Sequence, residues 1–244
     1  MSYFDELDDP RRRLLIKALA AGMFTAGLTS KEALAFSIFG SMPKKLPPSQ
    51  SIYSIKGSAT VNGKEADLST IIRPNDTIET QKQSEIVFVV GGHSMILREN
   101  SHLTLAGKEE NESFLIQGLR MITGKLLTVS RSQGTQIRTS TATIGIRGTG
   151  YYIESDPERT YFCTCYGLTD VESTEDPTSR DTVASKHHDK PLYIMAGEPE
   201  GKNIRLAPFI NHTDQELMLI ETLVGRTPPF VFAGDEYNAP RREY

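Results

Sequence analysis

Cysteine is nearly absent from this chain of 244 residues. There are two, Cys163 and Cys165, so the disulfide framework that holds many small secreted domains together is excluded, and any role for the pair is local. Basic clusters are scarce as well. After Lys17 no stretch is dense in lysine or arginine and the formal net charge is -4, which removes the electrostatic footprint of a nucleic-acid binder. The longest apolar run, Leu14 to Leu28, has about fifteen residues, short of the roughly twenty that span a bilayer as a helix. There is no G-x-S-x-G, no H-E-x-x-H and no P-loop, and the carboxylates are scattered along turns and the loop from Asp170 to Asp181. What is present, 38% hydrophobic and 24% charged residues, suffices for one medium domain with a sizeable core or for two small ones.

The amino terminus has the build of an export signal. Arg11, Arg12 and Arg13 stand directly before Leu14, Leu15, Ile16 and Lys17, and a mildly apolar run rich in alanine and glycine follows. Arg12 to Lys17 resembles the twin-arginine motif of bacterial folded-protein export, and Ala33-Leu34-Ala35 has the small-x-small form of a cleavage site. Twin-arginine export, ordinary secretion and an uncleaved anchor remain open; the short charged region and weak apolar run favour the first. The expected organisation is an export signal over 1–35, a linker over 36–50 containing the proline-rich stretch from Pro43 to Gln50, a β-domain over 51–172, an extension with a strand and a helix over 173–232, and a tail over 233–244. The expected location is the periplasm, with cleavage after Ala35. The membrane would be touched only through the amino-terminal segment if that segment stays attached.

From Ser51 onward the sequence breaks into short runs rich in β-branched and aromatic residues, separated by turn residues. Asn62-Gly63 between "SIYSIKGSATV" and "STII" is a strong hairpin signal, Pro74-Asn75-Asp76 marks another turn, and Gly91-Gly92 joins a second pair of runs. Further strands are expected at "HLTLAG", "SFLIQG", "KLLTVS", "TQIRTST", "TGYYIES", "RTYFCTCYG", "TDVES" and "PLYIMAG". About ten short strands in this arrangement predict an all-β sandwich, roll or short solenoid. One helix closes it. Thr213-Asp214-Gln215-Glu216 is a capping box, Leu217, Ile220, Leu223 and Val224 follow at helical spacing, and Gly225 with Pro228-Pro229 ends the run. Its apolar stripe should cover a face or an open end of the β-structure.

Gly145, Gly148 and Gly150 could be mistaken for a phosphate cradle. The residues that follow, Tyr151-Tyr152-Ile153, form a strand and not a helix, so the main source of anion affinity is missing, and the glycines predict a bulge or bend. At these residues the chain resembles a known family. Thr139 to Ile153, around Ile146-Arg147-Gly148-Thr149-Gly150, is similar to the T-x-x-A-x-x-x-V-R-G-T-x-F stretch of FecR-like domains. "GSATVNGKEA", "IIRPNDTIET", "SEIVFVVGGHSMILRENSHLTL" and "GLRMITGKLLTV" resemble the motifs that precede it in that family, and the resemblance covers about residues 51 to 172. It implies a β-rich periplasmic module. In the best-known members such a module sits behind a cytoplasmic segment that controls a sigma factor during siderophore-iron sensing. About ten residues precede the arginines here, too few for that segment, so the resemblance implies a freestanding, exported, non-catalytic domain that senses a ligand or an envelope partner protein.

Cys163 and Cys165 lie two apart in an expected strand, so both should point to one face. Their Cα atoms would be roughly 6.5 to 7 Å apart, beyond the about 5.5 to 6 Å that a disulfide prefers. Two thiolates on one face suit a tetrahedral metal, and His187-His188, just ahead of the strand "KPLYIMAG", could complete the shell. Cys163, Cys165, His187 and His188 would then form a Cys₂His₂ site, for which zinc is the best match. Two other readings stay open. The cysteines could be ordinary buried thiols, with the histidines solvated in a loop, or a redox-active pair, which would make the chain a periplasmic thiol-disulfide or metal-dependent redox protein. His93, His102 and His212 stand apart in the sequence and read as structural, His212 beside the helix cap. Twin-arginine export carries folded proteins, often loaded with a cofactor in the cytoplasm, which would suit a thiolate site destined for an oxidising compartment.

Overall fold

Alternation of apolar and polar residues along short runs leaves each strand one face to bury, and here every described strand joins one sheet. The computed structural model describes residues 43–110, 113–130 and 133–230; the expected export signal and carboxy-terminal tail lie outside them. The chain divides into two units, Met1–Lys44 and Lys45–Tyr244. The second is all-β with one carboxy-terminal helix, as the sequence predicts, but with fourteen strands among the described residues instead of about ten. They form one sheet of mixed direction, antiparallel throughout except where β8 (Ser113–Val129) meets β9 (Gln133–Arg138).

Two hairpins follow the turn signals closely. Asn62 and Gly63, both at positive φ (51° and 75°), join β2 (Ala59–Val61) to the two-residue β3 (Lys64–Glu65). Gly91-Gly92 joins β5 (Glu85–Val90) to β6 (His93–Leu97). The expected strand at Ser69–Ile72 is not one. Asp67 accepts hydrogen bonds from the Ser69 amide (2.8 Å) and hydroxyl (2.6 Å), which turns the chain there, and the next strand, β4, begins at Thr77. This is the competition that short polar side chains offer to a sheet ladder.

Several runs expected as separate strands are continuous. β8 pairs with β7 (His102–Glu110) as far as Thr123, then passes Gly124 at φ +106° and pairs with β6 and β10 (Ala142–Ser155). β10 and β11 (Arg159–Ser173) form a long hairpin that bends in the middle. On one side of the bend β10 pairs with β9 and β11 with β12 (Arg180–Ser185); on the other, β10 pairs with β8 and β11 with β13 (Leu192–Met195). The register shifts at Arg147–Tyr151, around Gly148 and Gly150. A Cβ on Gly150 would stand 2.5 Å from the Tyr166 ring, so the glycine stretch serves a close approach in a bulge, as expected.

Beyond β13 the chain adds a third strand at that edge, β14 (Ile204–Leu206), and then returns across the sheet to α1 (Asp214–Leu223). The helix starts at the expected capping box, with Thr213 as N-cap and Glu216 as its reciprocal partner. Leu217, Ile220 and Leu223 are buried, and α1 packs against β6 and β8. Each of those side chains contributes roughly 2 kcal/mol of apolar transfer. Polar ties add to this: Arg98 pairs with Glu216 at 2.6 Å, the Tyr166 hydroxyl bonds to buried Glu221, and the Leu46 amide donates to the Leu223 carbonyl at 2.9 Å. The returning segment covers the second face of the bent hairpin. For that reason Tyr151 to Ile153 and Tyr161 to Cys165 are buried without alternation.

Candidate metal centre

Both cysteines sit in the middle of β11, on the half of the hairpin covered from both sides, and both are fully buried free thiols. The side chains two apart share a face, as the strand period requires. Two chain segments reach them. The first is the turn after β12, held by Asp189: its Oδ2 accepts from the Lys186 amide (2.6 Å), the His187 amide (3.3 Å) and the Ser185 hydroxyl (3.3 Å). His188 leaves this turn in the left-handed region, at φ +55°, and its amide donates to the Cys165 carbonyl at 2.9 Å. The second segment is Ile210–Asp214, which ends at the helix cap. Thr213 there is extended (φ −135°, ψ 157°), so His212 and Asp214 flank it as neighbours on one side of the chain.

These segments bring Cys163, Cys165, His188 and His212 together. All four are buried, and their ligand atoms lie within 4.8 Å of one another. The individual distances are 3.5 Å from Cys163 Sγ to His188 Nδ1, 3.3 Å from Cys165 Sγ to His212 Nε2, and 3.1 Å between the two ring nitrogens. A tetrahedral ion with usual zinc bond lengths would separate its ligands by about 3.4 Å for nitrogen–nitrogen and about 3.6 Å for sulfur–nitrogen. The three distances lie within about 0.3 Å of those separations, and the four residues can hold a metal.

The ring orientations agree. His212 Nδ1 lies 2.8 Å from the Ile210 carbonyl oxygen, which can only accept, so Nδ1 carries the hydrogen and Nε2 turns its lone pair inward. His188 Nε2 lies 3.1 Å from Asp214 Oδ1, and donation there leaves Nδ1 facing the thiols. Two lone pairs then point at each other across 3.1 Å unless a cation lies between them, either a proton or a metal ion.

The electrostatics are set by the same neighbours. Burial alone would raise the Cys163 thiol, but hydrogen bonds from Cys165, His188 and His212 hold it well below its usual value. For Cys165, burial raises the thiol and the neighbouring Cys163 raises it further. Burial would lower His188, yet the hydrogen bonds to Asp214 and Cys163 outweigh it and bring the imidazole up to about 9. Asp214 resists burial in the same way: bonds from His188 and His187 keep it below the ordinary carboxylate range. Aromatic rings wall the site. Tyr152 stacks on His212 with centroids 4.5 Å apart, and Phe209 packs against both His188 and His212 at 4.5 Å.

Of the four ligands expected from the sequence, the structure gathers Cys163, Cys165 and His188. His187 stands outside the quartet, with Nε2 bonded to Asp214 Oδ1 at 3.0 Å and its ring against Phe230, and His212 occupies the position expected of it. The reason is the turn geometry: adjacent residues project in different directions, and His188 alone takes the left-handed conformation that aims its ring at β11. His212 and Asp214 are not legible in the sequence as site residues. They lie 47 and 49 positions beyond Cys165, and the capping box accounts for that stretch by itself; the nearest signal is a histidine and an aspartate two apart at the mouth of a helix.

No family model matches the chain, and no curated protein matches it. Two solved structures of a candidate anti-sigma factor from Parabacteroides distasonis ATCC 8503 are similar, at 15% and 14% identity and TM-scores of 0.42 and 0.41. Each match covers 54% of this chain and 58% of the other, so the chain spans little more than half the length of those proteins. Among the described residues no helix is long and apolar enough to cross a membrane.

Proposed function

We propose that the chain is an exported FecR-like β-module that recognises an envelope protein or a small ligand without catalysing a reaction, and that it carries one structural zinc ion on Cys163, Cys165, His188 and His212. The observation that supports the metal is the quartet itself: four buried donor atoms within 4.8 Å, two sulfurs and two inward-facing nitrogens. Two thiolates and two imidazoles suit zinc better than any hard cation. The four positions are all protein ligands with no position left open, the pattern of a structural rather than a catalytic zinc. Such an ion would tie the turn after β12 and the Ala207–Thr213 segment to β11. The sensing role and periplasmic location rest on the family resemblance and the arginine-led signal read from the sequence.

The test is elemental analysis of untagged protein purified from its native compartment, beside a Cys163→Ser, Cys165→Ser variant. One zinc per chain in the wild type and none in the variant is the expected result. A wild type with much less than one metal per chain, or a variant with unchanged metal content, refutes it.

A second reading, thiol redox chemistry, is favoured by one observation: Cys163, His188 and Asp214 line up as a thiol, imidazole and carboxylate relay, with the thiol held low. Against it, both sulfurs are inaccessible to a substrate disulfide. Rapid reaction of metal-free folded protein with a small aromatic disulfide, at a rate above that of a free thiol, would favour this second reading.

A further inference from the structure

Asp214 holds an unusual position for a residue in the first turn of a helix. A carboxylate there ordinarily faces water and complements the helix dipole. This one is 2% exposed and turned inward, with Oδ1 accepting from His188 Nε2 at 3.1 Å and from His187 Nε2 at 3.0 Å. Burying an ionised carboxylate is costly unless partners compensate, and the partners here are a ligand ring and its neighbour.

We propose that Asp214 is the positioning carboxylate of the metal centre, selecting Nδ1 of His188 as the ligand atom and thereby joining ion binding to the seating of α1. The proposal rests on the zinc reading above. Three arrangements carry it. The Asp189 turn and the His188 amide bond to Cys165 decide where the His188 ring lies, but an imidazole in that place could present either nitrogen; only the bond to Asp214 distinguishes them. The extended N-cap residue Thr213 places His212, a ligand, and Asp214, the orienting group, on the same side of three consecutive residues. The capping box then fixes Thr213 itself, through its amide bond to Glu216 Oε2 (2.8 Å) and the Glu216 amide bond to its hydroxyl (3.3 Å). An ion on His188 and His212 is thus linked through two adjoining routes to the first turn of α1.

The test uses cobalt(II) as the probe, with affinity measured by chelator competition and ligation followed by visible absorption. Wild type, Asp214→Asn and Thr213→Ala are compared as full chains, with circular dichroism to confirm folding. Asp214→Asn is expected to weaken cobalt binding about 10- to 100-fold and to shift the absorption bands, the usual consequence of losing the partner of a ligand histidine. Thr213→Ala, which loosens the helix end carrying both His212 and Asp214 but keeps the carboxylate on His188, is expected to weaken binding less, by under about tenfold, and to leave the absorption bands in place. An Asp214→Asn affinity within threefold of wild type, or equal losses in both variants, overturns the positioning role. If Asp214→Asn does not fold, histidine-ring nitrogen NMR of zinc-loaded wild type decides the matter: His188 bound through Nδ1 with a protonated Nε2 supports the proposal, and Nε2 ligation refutes it. A wild type that takes up no cobalt removes the metal centre itself, and is told apart from the other failures by that result.

Discussion

Two histidines are taken out of water in this molecule in opposite ways. His93, at the start of β6, and His188, in the turn after β12, are 1% and 5% exposed. His93 meets a hydroxyl, with Nε2 3.4 Å from Ser130 Oγ, and the nearby guanidinium of Arg226. Burial and that positive charge push its pKa down to about 4, so the ring stays neutral and behaves as an apolar filler with a polar tip. His188 meets a thiol, a second imidazole and a carboxylate, which overcome the same burial and push it up to about 9. The difference teaches that burial does not make a histidine a site; the sign of the charge facing it does. Only the second environment holds several groups that need a cation.

The contrast can be broken most forcefully by removing the anions. Cys163→Ser with Cys165→Ser should abolish zinc binding. With free zinc a thousandfold above Kd the lost stabilisation is about 4 kcal/mol, or about 8 to 16 °C in Tm for a domain of this size. Calorimetry of wild type and variant, with and without chelator, checks this, and a chelator-insensitive wild type would end the contrast.

The neutral histidine makes a pH prediction. His93 has a folded pKa of about 4 against 6.5 when unfolded, so between these values the unfolded chain binds the extra proton. The stability that His93 protects is therefore fully present above pH 6.5 and is lost as pH falls toward 4, by about 3 kcal/mol in all. Urea titrations across that window should be steeper in pH for wild type than for His93→Gln; equal slopes would mean that His93 takes up its proton as readily in the fold as in the unfolded chain.

Ligand identity sharpens the comparison further. His212→Ala should lower zinc affinity at least about 100-fold, equivalent to roughly 2.7 kcal/mol, whereas His187→Ala, which removes a ring outside the quartet, should change it by less than about tenfold. The reverse order of effects would restore the ligand set expected from adjacency in the sequence. The smallest effect concerns an anion at the surface. Asp170 pairs with Arg147 on the other half of the β10–β11 hairpin, where both side chains are largely exposed. Asp170→Asn should cost less than about 1 kcal/mol, and less still in high salt.

Much of the fold is legible in the order of the residues. Turn residues and alternation mark an all-β chain, the capping box marks where its helix starts, and the Gly148–Gly150 bulge follows from glycines placed inside a strand pattern. Both cysteines on one face follow from the strand period alone. The fusion of short runs into β8 and β11, and the extension of β10 back to Ala142, are hidden because a bent strand and two strands joined by a turn carry the same glycines. β12 and β14 escape sequence reasoning because Arg180–Ser185 and Ile204–Leu206 hold too few apolar residues for alternation to show in the residue types.

The sequence by itself determined the local chemistry: which residues could ligate, which could turn, and which two thiols would lie side by side. The tertiary structure alone decided that His212 joins them while His187 turns to Asp214. That choice depends on the path of the chain from β14 back across the sheet to α1, and on the left-handed backbone of His188. Contacts across 47 residues are set by how the apolar faces of the helix and sheet are covered, and no short-range pattern encodes that.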